Sequence, residues 1–489
     1  MIRSSVVLLF VLCLSFLSQA QSPTNDCHCA DDFAFVTNYL ENHYSGFESN
    51  VKTSNRTAYD QLKSSLAKQV NQPLNHIQCL QLLKQYTSFF RDHHLSMVIG
   101  SQSPAVNEKD AETVEKFKQS AVFKDCERVP MDSSAIYAYL ATSTDPIEGV
   151  YDEANYRIAV MKNKTALRDY YGIVLKSKTP LWEKGQVKME IKQLSDTSYQ
   201  SLLYMRNHSV NAGTFANTNP VTALFAAIKI FPREQGGGTT IDYSMPMRRD
   251  WFVFQNLDDS TNYVYIGTFD GALRGKFDSA YKAIMPQLKQ RPNLIIDVRS
   301  NGGGSDMCWR ELAHLMYTQP FQLDHWEYFS SSEIIKRYQE ILAKVKKDPK
   351  AYGKGIARHY QHVLKLLKKG KPGTFVSAGN PGKYINIAVA KPKRIILMYN
   401  RQSASSAEGL ILQGLHSNKV LTFGENSGGY IAFGNIMTVR TPSGFLLNSG
   451  THRVPARVQY EMTGIPPKVK ANPSEDWIEQ ARKLWGKVN

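Results

Sequence analysis

The apolar positions change period along the chain. Tyr59, Leu62, Leu66 and Val70 recur three or four residues apart, as do Ile77, Leu80, Leu83 and Tyr86. That spacing places one apolar stripe on a helix, so residues from about 30 to 92 read as helical. The second stripe ends at Phe89-Phe90-Arg91-Asp92, and a strand-like run follows from Leu95 to Ile99. Between about 130 and 250 the runs shorten. Ile158–Val160, Tyr171–Leu175 and Val187–Ile191 are β-type segments separated by polar turns, which predicts a small β-rich module, a barrel or a sheet. Gly236-Gly237-Gly238 reads as a joint, because no Gly-Lys-Ser/Thr follows to make a phosphate loop. From Trp251 onwards strands and helices alternate: a strand over Tyr263–Phe269, a helix over Phe277–Leu288, then the fully apolar run Leu294-Ile295-Ile296 leading into Asp297-Val298. Ile395–Tyr399 and Val420–Phe423 are further strands, with a helix over Ala407–Leu415 between them. This alternation predicts a layered α/β core. The expected division is 21–130 helical, 131–250 β-rich and 251–489 core, with a basic helical insertion near 330–372.

The first twenty residues fit none of these. Arg3 precedes an apolar run from Val6 to Leu17, and Ser18-Gln19-Ala20 supplies small residues for cleavage. Residues 1–20 therefore read as a signal peptide, and the mature chain is expected to begin near Gln21, periplasmic or secreted. No later segment reaches the roughly 18 uncharged apolar residues of a membrane span, so no stable membrane anchor is expected. The formal charge of +16 raises nucleic acid, anionic envelope polymers or acidic peptides as partners. The lysines are dispersed apart from Lys365, Lys368, Lys369 and Lys371, and no nucleic-acid motif accompanies them. Nucleic acid is set aside, and the run reads as a solvated helical face. Cys27, Cys29, Cys79 and Cys126 lie early, and an oxidising compartment allows bridges among them. The expectation is that Cys27 or Cys29 pairs with Cys79 or Cys126, while Cys308, inside an apolar helical pattern, stays a thiol. Cys27-His28-Cys29 lacks a matching second ligand pair, so no metal and no cofactor are expected.

Two strand-to-helix turns carry the chemistry. In Asp297-Val298-Arg299-Ser300-Asn301-Gly302-Gly303-Gly304, three glycines after a buried strand let backbone N–H groups approach a ligand. Such a turn can donate to a developing oxyanion. In Arg401-Gln402-Ser403-Ala404-Ser405-Ser406-Ala407-Glu408-Gly409, a hydroxyl sits where a strand becomes a helix, beside unpaired N–H groups and the positive helix end. That suits a nucleophile, and equally an N-cap serine.

Together the turns resemble peptidase family S41, the tail-specific (C-terminal-processing) proteases and the tricorn core. The family pattern is Asp-Leu-Arg-x-Asn-Gly-Gly-Gly, a Ser-Ala-Ser-Ala-Ser-Glu-like segment about a hundred residues later, then a strand and Gly-Glu-x-Thr. Here these stand as Asp297–Gly304, Ser403–Glu408 and Gly424-Glu425-Asn426-Ser427. The resemblance implies a ClpP/crotonase-like layered α/β catalytic core with peptide or unfolded protein as substrate. It implies Ser405 as nucleophile, three residues before Glu408, with Ser403 and Ser406 as neighbouring alternatives. Gly302 and Gly303 would form the oxyanion hole with the N–H of Ser405 or its neighbour. The Ser-Lys branch carries Phe-Gly-Lys after Gly-Glu-x-Thr, but Tyr430 occupies the lysine position. The tricorn-like branch instead takes a histidine from an Asp-Gly-His pattern, which Asp92-His93-His94 matches, so His94 would be the base. Its carboxylate would be Glu461, in Glu461-Met462-Thr463-Gly464-Ile465-Pro466-Pro467, although His93 replaces the residue that links carboxylate and histidine in that branch. The reading is a serine peptidase working through an acyl-enzyme. The alternatives are a catalytically inactive relative that binds peptides or another ligand, and a crotonase-type acyl-CoA enzyme, which needs no Ser-His pair.

Overall fold

The computed structural model describes residues 27–74, 76–99, 106–130, 132–165, 168–196, 198–216, 219–225, 227–232, 243–246, 250–347 and 355–488. The expected signal peptide and the Gly236–Gly238 joint lie outside these. The chain forms two compact units, residues 101–234 and residues 28–100 with 235–489.

The first unit is a seven-stranded antiparallel sheet, including Tyr156–Lys162, Tyr170–Ser177 and Val187–Ser195 at the three β-type runs. Among the described residues its strand order is open, β-strand next to β-strand across one sheet. Val114 and Phe117 of helix Ala111–Gln119 pack into its core with Ile158, Val160 and Trp182.

The second unit is built on a six-stranded sheet. Its strands are β1 (Phe252–Asn256), β2 (Thr261–Ile266), β3 (Asn293–Asp297), β4 (Arg394–Tyr399), β5 (Val420–Gly424) and β6 (Val469–Lys470). They lie in the order β6-β5-β4-β3-β2-β1, all parallel except the antiparallel edge β1. Successive side chains of a strand point to opposite faces, and the burial follows that parity. Leu294, Ile296, Ile395 and Leu397 face one layer, against Phe277 and Leu288 of α4 (Arg274–Leu288) and Leu410 and Ile411 of α7 (Ser406–Leu415). Ile295, Ile396, Met398 and Phe423 face the other, against Trp477. Coverage on both faces is why the central strands read as continuous apolar runs. The layered α/β core expected from the sequence is the one observed.

The three longer helices that precede this sheet among the described residues of the unit are α1 (Cys29–His43), α2 (Arg56–Gln69) and α3 (His76–Ser88). Cys29 on α1 is bridged to Cys79 on α3, one of the pairings left open by the sequence, and Cys308 is a buried thiol. The strand Ser96–Ile99 then pairs with Phe445–Ser449, which brings the turn after α3 to the core. The basic insertion forms the helix pair α5 (Ser332–Lys347) and α6 (Ile356–Lys369). Among the described residues no helix is long and apolar enough to cross a membrane.

Candidate active site

Strands β3 and β4 are parallel neighbours, so the turns at their C-terminal ends emerge side by side. Open α/β sheets place ligands at these strand ends. The two turns are stitched together. Asn400 accepts from the Ser300 N–H at 2.9 Å through its side-chain oxygen, Ser403 Oγ donates to the Val298 carbonyl at 2.7 Å, and the Ala404 N–H donates to the Asn301 carbonyl at 2.9 Å. Asn400 stands directly after a buried strand, and that position was the available signal for it. Ser403 is thereby engaged in structure, which leaves Ser405 and Ser406 of the three hydroxyls.

Ser405 stands at the N-terminal end of α7 with φ of 54°. A non-glycine residue at positive φ is held there against a cost, and such residues cluster at functional sites. What holds it is Glu408. This buried carboxylate accepts from the N–H groups of Ser405, Gly429 and Tyr430, each at 2.8 Å, and from Ser427 Oγ at 2.6 Å. Burial raises the Glu408 carboxyl, against the pull of these donors. Ser406 turns its hydroxyl away from Ser405's partner. It donates to Asp306 at 2.6 Å and accepts from Trp309 Nε1 at 2.9 Å.

His94 Nε2 lies 3.3 Å from Ser405 Oγ, across 311 residues of sequence. The turn that presents it is fixed by Asp92, which accepts from the His94 N–H at 2.8 Å and, through its second oxygen, from the Tyr44 hydroxyl at 2.5 Å. Burial pushes the His94 imidazole down to about 4, with the Phe433 carbonyl pulling the other way. The ring is therefore neutral at pH 7 and its Nε2 is available as an acceptor. Tyr430, at the position of the Ser-Lys lysine, packs its ring edge-on to His94 and against His93, and burial raises its hydroxyl pKa.

Glu461 approaches the histidines through main chain alone. It accepts from the N–H groups of Ala432 at 2.8 Å, Ile431 at 3.1 Å and His93 at 3.4 Å. Among the described residues no carboxylate is bonded to His94 Nδ1. Burial, with Asp92 adding to it, raises the Glu461 carboxyl to about 8.

The glycine turn separates its two candidates. The Gly303 N–H donates to Asn301 Oδ1 at 2.9 Å, and the Ser405 N–H is taken by Glu408. The N–H groups of Gly302 and Ser406 donate to nothing among the described residues. Gly303 has φ of +94°, and a Cβ on it would meet Ala404 O at 2.6 Å, Ser405 Cβ at 2.8 Å and Ser406 N at 2.9 Å. Gly302 faces open space. The site therefore combines a strained serine, a neutral imidazole at its hydroxyl and two undonated amides beside it.

Residues 260–471, which hold both turns, match the profile of peptidase family S41. Over this segment the chain is similar to family S41. Solved structures resemble the whole chain loosely. Mature CPAF complexed with lactacystin is 12% identical over 94% of this chain and 98% of that one, with a TM-score of 0.48. The photosystem II D1 C-terminal processing protease is 12% identical over 94% and 98%, with a TM-score of 0.37. The tricorn protease is 10% identical over 94% of this chain and 37% of its own, with a TM-score of 0.38. No curated protein matches the chain. The family that the core matches is a peptidase family, whose substrate class is peptide or protein.

Proposed function

We infer that the chain is an exported serine peptidase that cleaves peptide or unfolded protein through an acyl-enzyme, with Ser405 as nucleophile and His94 as general base. The observation that carries this reading is the 3.3 Å approach of His94 Nε2 to Ser405 Oγ from opposite ends of the chain. His94 takes the hydroxyl proton as Oγ attacks the scissile carbonyl carbon. The oxyanion that forms is met by the N–H groups of Gly302 and Ser406 at the positive end of α7. Collapse breaks the C–N bond, and His94 returns the proton to the leaving amine. Water, deprotonated by the same imidazole, then hydrolyses the ester. Glu461 acts by position. It fixes the 431–432 segment and the His93 amide, and so holds the Phe433 carbonyl and the His94 turn in place. The Cys29–Cys79 bridge supports an oxidising destination.

The test is hydrolysis of a peptide library followed by mass spectrometry. The wild type should generate new termini that Ser405→Ala and His94→Ala do not. Equal cleavage by either variant would remove that residue from the mechanism.

A further inference from the structure

We propose that the helix pair α5–α6 is a docking face for a linear anionic polysaccharide. Residues 332–371 carry ten lysines and two arginines against two glutamates and one aspartate, an excess of nine in a chain whose formal charge is +16. More than half of the molecule's net charge thus sits on one short insertion. Lys344, Lys346, Lys347, Lys365, Lys368 and Lys369 are all exposed, and none has an ion-pair partner among the described residues. Among the described residues, the ion pair within the two helices is Arg337 with Glu340 at 3.5 Å. Like charges crowded on one face repel one another, and a polyanion lying across them would relieve that repulsion.

The charges on α6 are also ordered. Arg358, Lys365 and Lys369 are spaced seven and four apart, and all are exposed. That spacing makes one straight stripe of roughly 16 Å at 1.5 Å per residue. A straight row of flexible point charges fits a chain whose own charges repeat along its length. Lysine predominates over arginine, which favours charge density over the bidentate reading of single groups.

The alternatives fit less well. The apolar residues Val363, Leu364 and Leu367 of α6 are buried in the protein, so the helix has no apolar face to insert into a bilayer. Tyr338 is buried and Tyr360 packs on it, which leaves neither ring as a platform for stacking bases. The disulfide further favours an extracytoplasmic setting, away from the bulk of cellular nucleic acid.

The test measures binding of the full mature chain to a size-defined heparin oligosaccharide across a salt series. The variant is Lys365→Glu/Lys368→Glu/Lys369→Glu. The control is Lys276→Glu/Lys282→Glu/Lys289→Glu, which makes the same charge change at exposed positions on and beside α4. Affinity should fall with rising salt, the α6 variant should lose about tenfold or more with a shallower salt slope, and the control should stay within about twofold. Thermal unfolding of both variants should match the wild type, since every position is exposed. Equal losses in the two variants would reduce the effect to overall charge and overturn the proposal. Tighter binding to anionic vesicles or single-stranded DNA than to heparin, or no binding to heparin, would overturn it also.

Discussion

Substituting the two glycines separately tests the site's geometry, because the structure makes opposite demands on them. Gly303→Ala forces a side chain into φ of +94°, which costs about 1–2 kcal/mol in that region. Its methyl would also press on Ala404 O, Ser405 Cβ and Ser406 N, all inside 3.0 Å. None of these can retreat freely. Ala404 is tied to Asn301, and Ser405 is held by Glu408. The displaced groups are the nucleophile and one of the two undonated amides, and loss of one oxyanion donor typically costs about a hundredfold or more. Gly302→Ala meets nothing within 4 Å. Its amide stays where it is, so turnover should remain within about threefold and stability within about 0.5 kcal/mol. Calorimetry reads the stability and the rate of peptide hydrolysis reads the turnover. Normal turnover in Gly303→Ala with a folded protein would refute the packing argument. A hundredfold loss in Gly302→Ala would refute the claim that its side faces open space.

The remaining predictions concern protons and the bridge. An unperturbed histidine would bring activity up through pH 6 to 7. Because burial lowers His94 to about 4, kcat/KM should instead rise near pH 4, and a pH–rate profile climbing only at 6 to 7 would contradict the burial. Stability runs with the same sign: a folded pKa below the unfolded value means stability present above about 6.5 and lost as pH falls through 4. Glu461 runs oppositely, with its folded pKa raised from 4.5 to about 8, so its contribution is full below 4.5 and is lost as pH rises through 8. Glu461→Gln should flatten the decline in melting temperature between pH 6 and 9 while lowering turnover, and an unchanged decline would place the titration elsewhere. Reduction of Cys29–Cys79, which closes 50 residues, should cost about 4 kcal/mol by denaturant titration. A loss below about 1 kcal/mol would show that the bridge constrains little.

Much of the core was legible because its signals are local. Leu294–Ile296 and Ile395–Tyr399 read as buried strands since both their faces are covered, and parity then assigns each residue to a layer. The two turns were legible from glycine and serine placement. The partners of those turns were not, because each lies far away in sequence. Nothing near Asp92 announces Tyr44, 48 residues earlier, and nothing near Ser96 announces Asn448 across the sheet. His94 was reached through family resemblance, since a lone histidine in a polar turn carries no signal of its own. The engagement of the Ser405 N–H by Glu408 depends on a side-chain rotamer, and the choice between Ser405 and its neighbour as the proposed oxyanion donor depends on it in turn. The attachment of Glu461 to three main-chain amides instead of an imidazole is likewise a matter of packing.

The central claim is that His94 activates Ser405, and the rate of labelling by a fluorophosphonate probe measures it without knowledge of the substrate. The account predicts a single adduct mapped to Ser405 in the wild type, none in Ser405→Ala, and labelling slowed by about a hundredfold or more in His94→Ala. An adduct on Ser403 or Ser406, undiminished labelling in His94→Ala, or no labelling of the folded wild type would contradict it.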